Sequence, residues 1–221
     1  FAWTKREYTN LIKAYNAGDK DIDIIGFSRG AALARALANK IVEEGIPVEC
    51  LEGYLEREYP EIRFLGLFDT VASFGIPGNG TNIGYDLSIP DNVKFTAHAV
   101  ARNENRYLYP LTSIYSLNEP IKLNRKFEKT FRGAHSDIGG GYRDHPETSY
   151  EALQWIHSMG KTVGVPFADL PNEVIEYNNN KPVTPYIHDS SSGGVINVFD
   201  GALNWATQTI GVNYGRSIYR N

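Results

Sequence analysis

The order of apolar and polar positions along the chain switches between helical and strand patterns. Apolar residues recur at helical spacing over 4–16 and predict a helix there. The β-branched run at 21–25 predicts a short buried strand, and the alanine- and leucine-rich stretch at 29–44 predicts a long helix. A strand, a tight turn and a helix therefore make up the first structural unit.

Strand and helix patterns continue to alternate after this unit. The apolar run at 62–68 predicts a second buried strand, and the alternating residues at 126–132 predict another. Residues 93–100 are apolar enough for either a strand or the start of a helix, and 148–163 form an amphipathic helical pattern. One late strand is expected at 195–199. This alternation predicts a three-layer α/β fold, with a mostly parallel sheet and helices on both faces.

Length and composition agree with one such domain over residues 1–221. Hydrophobic residues make up 42% and charged residues 22% of the chain, which is ordinary for a globular protein. The formal net charge of -4 argues against a nucleic-acid partner, which usually meets clustered lysine and arginine. The single cysteine, Cys50, excludes an internal disulfide, and the first residues do not resemble a signal peptide.

The segment Gly26–Gly30 has the pattern G-x-S-x-G, directly between the first strand and its helix. A sharp turn at this point exposes a serine hydroxyl for nucleophilic attack, so Ser28 is the candidate nucleophile. Both flanking glycines are expected to be required, because a side chain at either would collide with the strand or the helix. The N–H of Arg29 is expected to bind the oxyanion. The alternative is a simple glycine-rich turn in which Ser28 caps the helix.

Candidates for the acid and the base follow later strands. Asp69 comes directly after the second strand, and His135 lies in a glycine-rich segment after the strand at 126–132. The carboxyl ends of parallel strands share one edge of a sheet, so Ser28, Asp69 and His135 are expected to meet there. Their order along the chain is that of α/β hydrolases. Weaker candidates are Asp86, Glu104 and Asp137 for the acid and His188 for the base.

The remaining patterns indicate no metal and no cofactor. Gly139–Gly141 is not followed by Lys-Ser or Lys-Thr, which excludes a P-loop, and no histidine or cysteine pair has metal-ligand spacing. His98 lies in an apolar run and is expected to be a core histidine with satisfied hydrogen bonds. Acyl transfer through a serine requires no cofactor.

Four segments together resemble a bacterial and fungal α/β-hydrolase family that includes the phospholipase effectors of type VI secretion systems. They are GFSRGA at 26–31, GLFDTV at 66–71, RNENR at 102–106 and GAHSDIGGGY at 133–142. The resemblance covers roughly residues 5–165. It implies a Ser28–Asp69–His135 triad and hydrolysis of carboxylic esters, including those of phospholipids at a membrane surface. It also implies a bacterial cytoplasmic protein, or one secreted without a signal peptide.

The sequence departs from this family in two places. Members open with a strand and a D-G-T motif before the nucleophile, whereas only one helix precedes Ser28 here. The chain is therefore expected to be a fragment, or to supply the opening elements from the strand at 195–199, which ends in Phe199-Asp200-Gly201-Ala202. In addition, Asn103 replaces an aspartate of the family motif.

Two other functions remain compatible with these residues. One is a binding module that keeps the α/β-hydrolase fold without activity, and the other is an acyltransferase that forms the same acyl-enzyme on Ser28. An activated serine distinguishes the enzymes from the binding module, and the acyl acceptor distinguishes the transferase from the hydrolase.

Overall fold

The computed structural model of the chain describes residues 2–49, 55–72, 85–106, 108–116, 125–180, 182–190 and 218–220. Its helices and strands are named here in chain order. They are α1 Ala2–Asn16, β1 Asp23–Phe27, α2 Arg29–Glu44, β2 Ile46–Glu49, β3 Leu55–Glu58, β4 Phe64–Phe68, β5 Thr96–Ala101, β6 Leu111–Ser113, β7 Lys126–Phe131, α3 His135–Gly139, a 3-10 helix Pro146–Ser149, α4 Tyr150–Thr162, α5 Asn172–Asn179 and β8 Ile218–Arg220.

Four parallel strands form the central sheet in the order β1-β4-β5-β7. One row across it runs through Ile25, Gly66, Ala97 and Phe127. Because the strands are parallel, the segments that follow them all leave the sheet at the same edge. The turn at Ser28 and the chain after β4, β5 and β7 are thereby brought together.

Helices cover both faces of this sheet. Helix α2 packs on β1 and β4, with α1 outside it, whereas α4 packs on β4 and β5 and carries α5. The side chains of β4 alternate accordingly: Leu65 and Leu67 join the core beneath α2, and Phe64 joins the core beneath α4. Alternate burial on two faces is typical of a central strand in a three-layer protein, and the predicted α/β fold class is confirmed.

Several predicted elements need correction or completion. The ambiguous run at 93–100 is strand β5, because it pairs with β4 on one side and β7 on the other. The hairpin of β2 and β3, the short helix α3 and the helix α5 were not predicted. The expected strand at 195–199, and with it the hypothesis of a permuted order at Asp200, lies outside the described residues.

Strand β1 lies at the edge of the sheet among the described strands, and 48% of Ile25 is exposed there. A groove of about 580 Å³ runs along this edge between α1, α2 and β1, and its lining does not include Ser28 or His135. Among the described residues, no helix has the length and apolar character needed to cross a bilayer.

Candidate active site

Ser28 occupies the turn between the last residue of β1 and the first residue of α2. Its backbone has φ 59° and ψ -127°, a combination that few residues other than glycine adopt. The Ser28 N–H donates to the carbonyl oxygen of Phe68 at 2.9 Å, which fixes the turn to the end of β4. The side chain is partly exposed, so its hydroxyl is held at the sheet edge in a strained but accessible position.

The two glycines beside this turn differ in whether their positions leave space for a side chain. A Cβ on Gly26 would lie 2.5 Å from the carbonyl oxygen of Gly30 and 2.7 Å from the Cα of Ala31. A Cβ on Gly30 would meet no atom within 4 Å. The expectation that both glycines are sterically required is therefore right for Gly26 and wrong for Gly30. Gly30 is exposed in the first turn of α2.

This contrast gives a matched pair of substitutions. Gly26→Ala is expected to lower the free energy of unfolding by about 1–3 kcal/mol, because the clash is with backbone atoms that cannot rotate away. Gly30→Ala is expected to leave it unchanged or to raise it by up to about 1 kcal/mol, since alanine favours a helix more than glycine does. Urea unfolding measures both values. Equal losses in the two variants would contradict the steric argument.

Asp69 follows β4 directly and is completely buried. Its φ of 42° is in the left-handed region, which aspartate tolerates better than most residues. The Asp69 N–H donates to the carbonyl oxygen of Ala99 at 2.7 Å, and Oδ1 accepts the N–H of Ala101 at 2.8 Å. Backbone bonds to β5 thus fix one carboxylate oxygen and leave Oδ2 directed at another partner.

That partner is His135, which joins the three candidate side chains. His135 Nδ1 is 2.7 Å from Asp69 Oδ2, and Nε2 is 2.8 Å from Ser28 Oγ. Because an ionised carboxylate only accepts hydrogen bonds, Nδ1 carries the proton and Nε2 is free to accept from the serine hydroxyl. The ring is 3% exposed and lies between Phe27 and Tyr109, whose centroids are 4.6 Å and 5.0 Å away.

The backbone at His135 differs from the flexible loop that its glycines suggest. His135 is the first residue of α3, and Asp137 Oδ2 accepts the Ala134 N–H at 2.8 Å to cap this helix. Gly133 (φ 128°) and Gly140 (φ 71°) supply the left-handed turns at its two ends. Aspartate in the first turn of a helix stabilises it, which explains why a short helix forms here. Asp137 organises this segment, as its position two residues from His135 suggests.

A buried ion pair supports the same helix. Glu104 accepts the His135 backbone N–H at 3.2 Å and is bonded by the Arg106 guanidinium at 2.8 and 3.0 Å. Burial would raise the pKa of Glu104, but the hydrogen bonds and charge of Arg106 and the His135 N–H outweigh it and lower this pKa. Glu104 therefore remains a carboxylate that holds the His135 backbone. The Arg106 guanidinium also lies 3.6 Å from the ring centroid of Tyr109.

The weaker candidates have other partners. Asp86 Oδ1 accepts the N–H of Ser88, and the His188 ring bonds Asp137 through Nδ1 and Asp144 through Nε2. His188 thus belongs to the network that caps α3. Its sequence setting gave no indication of this role, because the contact to Asp137 spans 51 residues.

Arg29 is the first residue of α2, so its N–H has no acceptor within the helix. It lies next to Ser28, where the sequence placed the oxyanion donor. Within the described part of the chain, no group of three or more histidine, cysteine, aspartate or glutamate side chains could hold a metal ion.

Known structures give partial matches. A crystal structure of an uncharacterized protein from Pseudomonas aeruginosa is 28% identical, with a TM-score of 0.52, over 78% of this chain and 29% of that one. The Tle1 effector bound to the VgrG spike of a type 6 secretion system is 32% identical, with a TM-score of 0.45, over 63% of this chain and 30% of that one. The chain thus spans less than a third of either. No curated protein gives a significant match.

The family model of the Tle1-like phospholipase effector catalytic domain of type VI secretion systems matches residues 48–159, just over half of the chain. The matched region includes Asp69 and His135 and begins after Ser28. Three of the four segments that carry the sequence resemblance, 66–71, 102–106 and 133–142, lie within it, and the fourth, 26–31, precedes it. The chain therefore belongs to the family of Tle1-like type VI secretion phospholipase effectors, of which it matches the catalytic domain.

Proposed function

We propose that this chain is a serine esterase that hydrolyses carboxylic ester bonds of phospholipids through an acyl-enzyme on Ser28. The observation that carries the proposal is the pair of contacts that links Asp69 to His135 at 2.7 Å and His135 to Ser28 at 2.8 Å. A nucleophile, a base and a group that orients the base are in hydrogen-bond contact in the required order. The family of the chain supports the substrate class.

In the first half-reaction, His135 Nε2 takes the Ser28 proton while Oγ attacks the ester carbonyl carbon. The tetrahedral intermediate places its negative charge beside the N–H of Arg29 at the positive end of α2. His135 then gives its proton to the leaving alcohol oxygen as the ester C–O bond breaks. Asp69 stabilises the imidazolium that exists between these two transfers.

In the second half-reaction, water replaces the alcohol. His135 Nε2 takes a proton from the water, whose oxygen attacks the acyl carbonyl, and the proton returns to Ser28 Oγ as the fatty acid leaves. Phe27 and Tyr109 pack against the His135 ring and leave this residue 3% exposed, so the imidazole is largely shielded from bulk solvent.

Exposed arginines at the same sheet edge support an anionic substrate. Arg29 follows Ser28, Arg102 follows β5 and Arg132 follows β7, and all three are exposed. None of them forms an ion pair with a described carboxylate, although the Arg132 guanidinium donates to the carbonyl of Val183. A chain with a net charge of -4 thus places cationic groups along the sheet edge that carries its candidate nucleophile.

Several arginines elsewhere are paired with acidic side chains. Such pairs are Arg63 with Asp21 and Asp23, Arg106 with Glu104, and Arg125 with Asp91. The contrast indicates that the positive charge at the edge is available to a phosphate group of a lipid rather than used within the fold.

The experiment that tests the proposed function uses vesicles of phosphatidylglycerol. The expected products are a fatty acid and a lysophospholipid, identified by mass spectrometry, and pretreatment with a fluorophosphonate should stop their release. A folded protein that releases no fatty acid and takes up no fluorophosphonate would overturn the proposal in favour of a binding module. Transfer of the acyl group to an added alcohol in preference to water would favour the acyltransferase.

Removing the edge charges should weaken binding to anionic vesicles selectively. Arg102→Gln and Arg132→Gln are each expected to reduce affinity for phosphatidylglycerol vesicles by roughly fivefold, since a basic residue near an anionic surface contributes about 1 kcal/mol. Vesicle co-sedimentation measures the effect, with phosphatidylcholine vesicles expected to respond little. Arg6→Gln removes the same charge from the exposed surface of α1 and serves as the control. An equal loss in Arg6→Gln would show that only the net charge matters.

A further inference from the structure

A second histidine, outside the proposed triad, is held between a carboxylate and a threonine. His98 on β5 is completely buried, and its Nδ1 lies 2.9 Å from Glu128 Oε2. Its Nε2 accepts the Thr70 backbone N–H at 3.0 Å and lies 3.1 Å from Thr70 Oγ1. The core position that the apolar run predicts is correct, and both nitrogens of the ring are satisfied.

These contacts define the tautomer of His98. Because Nε2 accepts the Thr70 N–H, the ring proton is on Nδ1 and is donated to Glu128. Burial raises the pKa of Glu128, but the hydrogen bonds from the His98 ring, the Ile114 N–H and the Ser113 hydroxyl outweigh it and lower this pKa. Glu128 therefore remains an ionised acceptor, and it also lies in the field of the buried guanidinium of Arg35.

The same arrangement of carboxylate, imidazole and hydroxyl occurs at the proposed active site, but here it does not expose a nucleophile. Thr70 is 0% exposed, and its carbonyl oxygen accepts the Thr112 N–H at 2.9 Å. No ester can reach a hydroxyl buried in this way. The effect of the second histidine must therefore pass through the Thr70 backbone.

Thr70 is the residue after Asp69, whose backbone has the unfavourable φ of 42°. The Thr70 N–H donates to the His98 side chain rather than to a neighbouring strand. This bond fixes the peptide group that joins Asp69 to Thr70. Without that acceptor, the buried N–H would lose its hydrogen bond, and the strained turn could relax. The direction of the Asp69 carboxylate depends on this turn.

We propose that the His98–Glu128 pair is a positioning device for the triad acid, in which His98 Nε2 holds the Thr70 N–H and thereby the left-handed turn that directs Asp69 Oδ2 at His135. This inference rests on the proposed function, since it assigns the residues that orient Asp69. Glu128 contributes by fixing the His98 tautomer through a contact across 30 residues of sequence. Neither residue touches the reacting atoms.

Two substitutions at position 98 test the two hydrogen bonds of the imidazole separately, one to Glu128 and one from the Thr70 N–H. The amide of His98→Asn superposes on the Nδ1 side, so it keeps a donor to Glu128 and loses the acceptor for Thr70. The longer His98→Gln places its amide oxygen near the Nε2 position and keeps that acceptor. His98→Asn is expected to lower kcat for a soluble nitrophenyl ester by up to about 100-fold with KM unchanged, as for a catalytic group displaced by about 1 Å. His98→Gln should recover most of this loss.

A second readout does not depend on turnover. The proton on His135 Nδ1, in its 2.7 Å contact with Asp69, should give a far-downfield resonance in nitrogen-15-labelled protein. This resonance should shift or vanish in His98→Asn and persist in His98→Gln. Urea unfolding of both variants identifies a general loss of stability.

The outcomes distinguish the two proposals. Unchanged kcat and an unchanged His135 resonance in a folded His98→Asn would overturn the positioning role, as would equal losses in His98→Asn and His98→Gln. A wild type that neither hydrolyses esters nor takes up fluorophosphonate would overturn the proposed function, while the resonance would still report whether His98 orients the Asp69–His135 pair.

Discussion

Ser28→Ala is expected to abolish fluorophosphonate labelling and to lower ester hydrolysis by about 10⁶-fold, and His135→Ala should cost about as much. The two losses should not add in the double variant, because one proton transfer requires both groups across their 2.8 Å contact. Labelling followed by mass spectrometry of the modified peptide, with initial rates on a soluble ester, measures both effects.

Ser136→Ala is the matched control for these variants. It removes a hydroxyl of the same size one residue from His135, and Ser136 contributes its backbone carbonyl to the Gly141 N–H rather than a side-chain bond. Its labelling and rate should equal those of the wild type. Labelling that persists in Ser28→Ala would show that a different residue is the nucleophile.

Asp69→Asn should have the second largest effect, a loss of about 10⁴-fold in kcat with the fold retained. Asparagine tolerates the left-handed backbone at this position, and its oxygen can still accept the Ala101 N–H. Its amide would, however, donate to His135 Nδ1 and move the ring proton to Nε2. The imidazole could then no longer take the Ser28 proton.

The control for this variant is Asp86→Asn, at an aspartate that the sequence also offered as an acid. Asp86 bonds the Ser88 N–H, and its removal should leave kcat within about twofold, as for surface changes that alter stability by less than about 0.5 kcal/mol. A full loss of activity in Asp86→Asn, with Asp69→Asn active, would exchange the roles of the two residues.

Helices and strands whose ends are marked by local sequence signals could be predicted well. Helix α2 has the predicted bounds 29–44, because the Ser28 turn and Gly45 mark its two ends. Strand β5 remained ambiguous since all its residues are buried and show no periodicity. Its strand conformation results from pairing with β4 and β7, which are distant in the sequence.

The candidate site shows the same contrast between features that local sequence patterns predict and features that depend on distant contacts. The meeting of Ser28, Asp69 and His135 follows from parallel strands that share a carboxyl edge, and the order of strand patterns contained this information. The residues that hold these three side chains in place do so through contacts that no local sequence pattern encodes. His98 reaches Thr70 across 28 residues, and His188 reaches Asp137 across 51. A histidine in an apolar run indicates burial but not the partner that it holds.

The left-handed backbone at position 69 also limits which amino acids can replace Asp69 during evolution. Among the uncharged replacements, asparagine and glycine are the residues that adopt this conformation most readily. Both codons are a single base change from an aspartate codon. A lineage can therefore lose the proposed triad acid in one mutational step without losing the fold. A relative with asparagine at this place would be expected to be a folded protein selected for binding.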